Sequence, residues 1–316
     1  MILGLDIGGA NTKAASSDGS FTESVYLPLW KNAPLRAVLN HFSDMEPEAV
    51  AAVMTGELAD CYQSKLEGIE SIMAAVKQTF RCPVHFWGVN GFLWKDSTEL
   101  AAANWSASAA LLGREIGDCL FVDMGSTTTD LIPIKGEPLA AKTDYQRLAR
   151  GELVYMGLLR TSLGALLPEA RIRGDVVQIS PELFAIAADA YLVLGEISAD
   201  RYACDAPDGA GKDRAAALRR LARTVCADLD EIGAAGAMAI AEQARDRQFR
   251  ALADAIEMQA GRHRLSRLVA AGIGEQVIAR AARFLGMETL QLSEKYGRRV
   301  SDVFPAYAVA KLLEFQ

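Results

Sequence analysis

Histidine is scarce in this chain: His41, His85 and His263 are the only three in 316 residues, and they lie far apart with none of the spacings of metal ligands. A histidine-centred mechanism has little to work with. The five cysteines, Cys61, Cys82, Cys119, Cys204 and Cys226, are odd in number, scattered and never in a CxxC pair, so they support neither a disulfide framework nor a structural zinc site. They read as reduced thiols, Cys119 as an inert one in the core. Aromatic residues make up only 7%, and positive charge is in deficit, with 33 Lys+Arg against 40 Asp+Glu and a net charge of −7. Without a basic field, neither a nucleic-acid backbone nor an anionic membrane is an expected partner. No stretch approaches about 18 consecutive apolar residues, and MILGLDIGG enters a strand-like motif with no basic segment before it, which argues against a membrane span and a signal peptide. The expectation is a cytoplasmic protein whose chemistry rests on carboxylates, glycine loops and a bound cation.

What is present is a chain of about two domains' length, 51% hydrophobic and able to bury a sizeable core. The runs ILGLDI, AVAAVM (49–54), CPVHFWG and DCLFVDM read as buried strands ending near Gly or Asp, and they alternate with helical segments in an α/β pattern. Residues 98–112 are Ala-rich and long enough for a helix, and 212–228 and 233–260 read as longer ones. The segment from Asp200 to Lys212 gathers Gly, Pro and Asp and reads as a surface loop or a mobile lid. Towards the C-terminus, RLVAAGIGEQVIARAARFLGM reads as strand, glycine turn and helix, followed by a last helix from about Asp302 to Glu314.

A weak internal repeat carries the functional reading. Leu5 to Lys13 (LDIGGANTK) parallels Val122 to Asp130 (VDMGSTTTD), each a strand, an aspartate, one residue, a glycine and then small hydroxyl residues. Asp6 and Asp123 stand a domain's length apart, which suggests two related halves facing one another across a cleft. Glycines after a strand let the backbone turn tightly enough to aim several N–H groups at an anion, so a phosphate fits at each loop. Asp6 and Asp123 are then placed to hold Mg²⁺, which commonly takes one or two carboxylates plus phosphate oxygens. Gly8, Gly9, Asn11 and Thr12 on one side and Gly125, Ser126, Thr127 and Thr128 on the other form the cradle, with Lys13 as a compact positive charge. A third element, Leu268 to Gly274 (LVAAGIG), is a strand entering a small-residue turn, where Gly272 and Gly274 admit a flat ring or a phosphate close to the backbone.

Other residues have a plainer reading beside a functional one. Arg147 and Arg150 read first as a solvated helix face and second as a grip on a substrate carboxylate. Trp87, Trp94 and Trp105 read as buried packing before an aromatic pocket wall. Asp200, Asp205, Asp208 and Lys212 read as a polar loop before a metal or amine contact. The basic stretch RAAALRRLAR (214–223) reads as a solvated helix face.

The succession DxGxxxT, DxGSTTTD and AGxG resembles the phosphate-1, phosphate-2 and adenosine signatures of the actin, sugar kinase and Hsp70 ATPase superfamily, over nearly the whole chain. That resemblance implies two ribonuclease H-like α/β lobes, 1–116 and 117–300, the second with a helical insertion, and a terminal helix (301–316) returning to the first. DMGSTTTD looks most like the DxGGTSTD of the hydantoinase and oxoprolinase group, although this chain is far shorter than a full hydantoinase subunit. Further segments, Met54–Cys61, Phe86–Gly88, Ala102–Trp105, Gly151–Gly157, Ala188–Gly195 and Asp205–Gly209, are similar to a small family tied to tetrahydromethanopterin-linked one-carbon metabolism. Members of that family in methanogens are implicated in methanofuran synthesis, joining an aminomethylfuran methyl diphosphate to the phenol of γ-glutamyltyramine with loss of diphosphate; bacterial relatives would serve methylofuran.

The residues suit that reaction. Departure of diphosphate leaves a furfuryl cation stabilised by the furan oxygen, so the protein's main task is to bind and neutralise the leaving group. A phenol has a pKa near 10, so a carboxylate is needed to accept its proton, and Asp130, Glu57 and Glu152 all qualify. The runner-up is an ATP-dependent kinase or hydantoinase-like ATPase, with ATP or ADP in the same cradle, and a third reading is a nucleotide-bound sensor without turnover. A homo-oligomer is compatible with the sequence, which leaves the number of subunits open.

Overall fold

The computed structural model describes residues 1–93 and 98–316; Trp94 lies outside the described residues. The chain begins with β1 (Ile2–Gly8), β2 (Asn11–Ser16) and β3 (Thr22–Tyr26), an antiparallel meander. After α1 (Leu35–Ser43), β4 (Ala49–Thr55) pairs parallel to β1, and after α2 (Lys65–Thr79), β5 (Val84–Gly88) pairs parallel to β4 and is edged by β6 (Gly91–Leu93). The strand order is β3-β2-β1-β4-β5-β6. Helix α3 (Asn104–Glu115) leads into a second sheet.

That sheet repeats the plan. The strands β7 (Cys119–Met124) and β8 (Thr129–Lys135) form a hairpin, the short β9 (Glu137–Pro138) folds back on β8, and after α4 (Asp144–Arg150) the short β10 (Leu153–Val154) extends the meander. Then come α5 (Leu163–Leu166), a hairpin of β11 (Glu169–Ile172) and β12 (Asp175–Gln178), and helices α6 (Ala187–Val193), α7 (Arg214–Arg223) and α8 (Leu229–His263). The parallel strands β13 (Arg267–Ala271) and β14 (Glu288–Gln291), linked by α9 (Glu275–Phe284), complete the order β10-β8-β7-β13-β14. The chain closes with α10 (Leu292–Tyr296), α11 (Arg298–Asp302) and α12 (Phe304–Glu314). Each sheet is a three-stranded meander continued by parallel strands, so the molecule is a two-lobed α/β protein of ribonuclease H-like halves.

Local chemistry explains the element ends. Side chains of Ser64, Thr143, Asp213 and Asp228 accept backbone N–H groups at the starts of α2, α4, α7 and α8. Helix α12 lies directly on β1: a Cβ on Gly4 would stand 1.8 Å from the Ala306 carbonyl oxygen, so only glycine permits that approach.

The structure corrects three expectations. The stretch 98–112 is not one helix: a 3₁₀ turn at Thr98–Leu100 precedes Ala102, whose left-handed backbone (φ 48°) interrupts the run until α3 starts at Asn104. The helix read over 233–260 is present: non-helical backbone at Gly233 (φ 70°) divides it from a short first turn that starts at Leu229. The loop from Asp200 to Lys212 is fastened: Tyr202 is buried and its hydroxyl donates to Asp189 at 3.0 Å. Arg220, fully buried, grips Asp189 at 2.7 Å, Asp208 at 3.0 Å and the Gly211 carbonyl at 3.1 Å. Arg220 thereby also overturns the reading of 214–223 as a wholly solvated face; long-range pairing, not helical pattern, decided its burial.

Candidate active site

A cavity of about 570 Å³ lies between the two sheets' meanders, and both glycine hairpins open into it. From the first come Asp6, Gly8, Gly9, Asn11 and Lys13; from the second Asp123, Gly125, Ser126, Thr127, Thr128 and Asp130. The β1–β2 register sets Asp6 opposite Lys13, and the β7–β8 register sets Asp123 opposite Asp130. Three residues read as cradle members lie elsewhere. Thr12 is fully buried on β2 with its hydroxyl unpartnered, and it is not on the cavity wall. Gly272 and Gly274 are not on the wall either. Gly272 has φ 81°, and a Cβ there would stand 2.2 Å from Asp123 Oδ1; at Gly274 it would stand 2.3 Å from the Met124 sulfur. Both glycines are therefore required by packing against β7, and the Gly274 N–H donates to the Met124 carbonyl at 3.0 Å.

The electrostatics are those of an acidic floor short of positive charge. Lys13 Nζ stands 3.5 Å from Asp6 Oδ2 and also acts on Asp123, so one ammonium is shared between two carboxylates. Burial raises the pKa of Asp6 against the pull of Lys13, and it pushes Asp123 up to about 7, with Lys13 again opposing and the carboxylates of Asp130 and Asp6 adding. Asp6 Oδ1 is buried without a hydrogen-bond partner. Two desolvated carboxylates, one with an orphaned oxygen, fit a divalent cation that draws its remaining ligands from water and phosphate. No group of three His, Cys, Asp or Glu side chains suited to a metal ion occurs among the described residues, so the protein supplies at most a partial donor set.

Trp30 and Arg160 carry no signal in the sequence, and Arg147 carries a misleading one. Arg147 is 2% exposed, stacks on Trp105 with its guanidinium 4.7 Å from the ring centre, and ion-pairs with Asp130 and, at 3.0 Å, with Asp144. The solvated reading of Arg147 fails because Asp130 and Trp105, both distant in sequence, bury it; Arg150 is exposed. Among the described residues the tryptophan on the cavity wall is Trp30, over which Arg160 lies at 4.4 Å while reaching Thr127 Oγ1 at 3.2 Å. Trp87 and Trp105 are buried packing residues, Trp87 donating to Ser106 at 3.3 Å. Asn104, at the start of α3, lines the cavity and favours the ionised form of Asp6. Of the proposed bases, Glu57 lines the cavity, whereas Glu152 is buried off it and accepts the Ala141 N–H at 2.7 Å. Cys119 is buried, which pushes its thiol up to about 12.

Two matched meanders around an acidic, glycine-looped cleft define a protein of the actin and hexokinase-like ATPase fold. A nucleotide-free acetone carboxylase structure shares it with a TM-score of 0.50 at 12% identity, over 98% of this chain and 70% of that one. A glucokinase of the ROK family from Streptomyces griseus aligns with a TM-score of 0.48 at 14% identity, over 98% of both chains. The hydantoinase/oxoprolinase family model matches residues 48–315, and the chain belongs to that family. It is 41% identical to the (4-{4-[2-(gamma-L-glutamylamino)ethyl]phenoxymethyl}furan-2-yl)methanamine synthase of Methanocaldococcus jannaschii, over all of this chain and 98% of the relative. The synthase of the same name from Methanococcus vannielii is 35% identical over 62% of this chain and 91% of its own length. No helix among the described residues is long and apolar enough to cross a membrane.

Proposed function

We propose that the protein is a transferase that forms the furfuryl aryl ether of a methanofuran-type coenzyme. It would join a furan methyl diphosphate to the phenol of a γ-glutamyl tyramine or tyrosine compound and release diphosphate. The observation that carries this reading is the 41% identity, along the entire chain, to a synthase whose named product contains the phenoxymethylfuran linkage. The cavity supports it with chemistry suited to a diphosphate leaving group: Gly8 and Gly9 in one loop, Gly125, Ser126, Thr127 and Thr128 in the other, and Lys13 between them. Asp6 and Asp123 would hold Mg²⁺, which when bound supplies positive charge to the leaving diphosphate. Arg160, fixed between Trp30 and Thr127, would bind and orient the charged end of a substrate at the rim. The activated substrate brings its own leaving group, so nucleoside triphosphate should not be consumed and should compete for the cradle.

The test is an assay of purified protein with Mg²⁺ and both organic substrates but no nucleotide, repeated with ATP. Ether and diphosphate formed in equal amounts in the first tube, with inhibition in the second, is the expected result. A strict need for ATP, with ADP released in step with product, would replace the transferase with an ATP-dependent enzyme. Nucleotide-dependent binding of a partner with no product would replace it with a sensor.

A further inference from the structure

We propose that Glu57 is the catalytic base of this site, taking the phenol proton as the aryl ether forms; the assignment rests on the transferase reading above. The sequence offers three carboxylates for the role, and the cavity wall adds Asp60, which is exposed, and Asp144, which pairs with Arg147. Asp130 is engaged by Arg147, and Glu152 is buried off the cavity with its Oε2 accepting the Ala141 N–H. Glu57 is 2% exposed, forms part of the cavity wall, and its Oε2 has no hydrogen-bond partner. An unpartnered buried oxygen on a reaction cavity is costly unless something else uses it.

The backbone holds Glu57 rigidly beside the first glycine loop. The Gly56 N–H donates to the Ile7 carbonyl at 3.0 Å, and a Cβ on Gly56 would stand 3.1 Å from the Gly8 backbone. From the other side α2 presses in, so that a Cβ on Gly68 would stand 2.1 Å from the Glu57 carbonyl oxygen. The backbone N–H groups of Glu57 and Ala102 favour the ionised carboxylate. Ala102 is the residue held in the left-handed region (φ 48°), a conformation that a non-glycine residue adopts only when its surroundings enforce it. Exposed apolar surface at the cavity mouth, from Leu58 and Tyr155, offers a face for the aryl ring of the acceptor.

The step balances without a further reagent. The phenol O–H bond breaks and its proton passes to the Glu57 carboxylate. The phenol oxygen bonds to the furfuryl carbon, and the carbon–diphosphate bond breaks with its electron pair leaving on diphosphate. Burial pushes Glu57 up to about 7; the Asp144 carboxylate adds to this, while the Lys65 ammonium and the two backbone N–H groups oppose it. A base of that strength is part ionised at neutral pH and strong enough to draw a proton from a phenol in the transition state. Activity should rise with pH through about 7, but Asp123 titrates in the same range, so acceptor acidity makes the sharper test.

Wild type and Glu57→Gln are assayed with the ordinary phenol acceptor and with a ring-fluorinated one whose phenol is more acidic. With the ordinary acceptor, Glu57→Gln should lose on the order of 10²- to 10³-fold in kcat, the usual contribution of a general base. With the fluorinated acceptor the loss should shrink to about tenfold or less, because a phenolate that forms by itself needs no base. Equal losses on both acceptors, or no loss on either, would overturn the assignment. If Glu57→Gln does not fold, Glu57→Asp, one methylene shorter, should show the same preference for the acidic phenol, and the lack of one would overturn the assignment as well. Absence of ether from the wild-type protein would instead overturn the transferase reading itself.

Discussion

The two glycine hairpins share a register and differ in one charge. Across the first, Asp6 faces Lys13; across the second, Asp123 faces Asp130 at the corresponding rung. The first hairpin therefore carries its own counter-charge, whereas the second imports one, Arg147 from α4, which is buried against Trp105 and tied to both Asp130 and Asp144. The consequence is a division of labour. Lys13, 23% exposed, stays at the cavity between two desolvated aspartates, where an anionic ligand can reach it. Arg147 is committed to holding the second hairpin's strand to its helix. Duplicated loops thus supply one half with a reactive charge and the other with hydroxyls on a braced scaffold.

The largest expected effect comes from removing what the halves have in common. Asp6→Asn and Asp123→Asn should each reduce kcat/KM on the order of 10²-fold or more, the magnitude for one preorganised electrostatic group. Full activity in either variant, measured with saturating Mg²⁺, would break the equivalence of the two hairpins. The next effect concerns where they differ. Asp130→Asn strips Arg147 of one of its two acidic partners and should destabilise the fold by about 2 kcal/mol, below the range for a buried charge left wholly unpaired. Urea denaturation should show a smaller loss for Lys13→Met, because the aspartates it leaves can take up protons. A larger loss for Lys13→Met would reverse the roles assigned to the two cations.

Much of this arrangement was legible in sequence because it is local. A strand ending in Asp-x-Gly announces its own turn, and β1, β4 and β7 fall where ILGLDI, AVAAVM and DCLFVDM lie. The apolar runs show up because both faces of those strands are covered. What stayed hidden depends on partners far along the chain. Arg147 and Arg220 look solvated on their own helices, yet Asp130 lies 17 residues from the one and Asp189 lies 31 residues from the other. Gly272 and Gly274 read as a nucleotide turn from pattern alone, whereas the need for their small size against Asp123 and Met124 shows only in the fold. The broken helix before Asn104 was equally silent, since alanine is a strong helix former and the left-handed Ala102 arises from tertiary packing. Trp30 and Arg160 meet only when the halves fold together.

The smallest effect expected is on thermal stability, and it probes the shared carboxylates without any substrate. Burial raises Asp6 and pushes Asp123 to about 7 from an ordinary value of 3.8, so ionising them opposes folding. The sign follows: the Asp123 contribution to stability is fully present below about pH 3.8 and is lost as pH rises through about 7, and the Asp6 contribution changes in the same direction. Glu57, pushed up in the same way, adds to the trend. Metal-free protein should accordingly lose stability between about pH 4 and pH 7 and change little above that. A divalent cation that binds the folded, ionised pair stabilises it by mass action, about 2.7 kcal/mol at a hundredfold excess over Kd. Calorimetry with Mg²⁺ against chelator should therefore give a rise in Tm of several degrees at pH 8 and a smaller one at pH 6, where protons compete with the metal. Asp123→Asn should raise the metal-free Tm at pH 8 and remove most of the response to Mg²⁺. An equal Mg²⁺ response in the variant would place the cation away from this pair, and the two hairpins would then share a fold without sharing a metal.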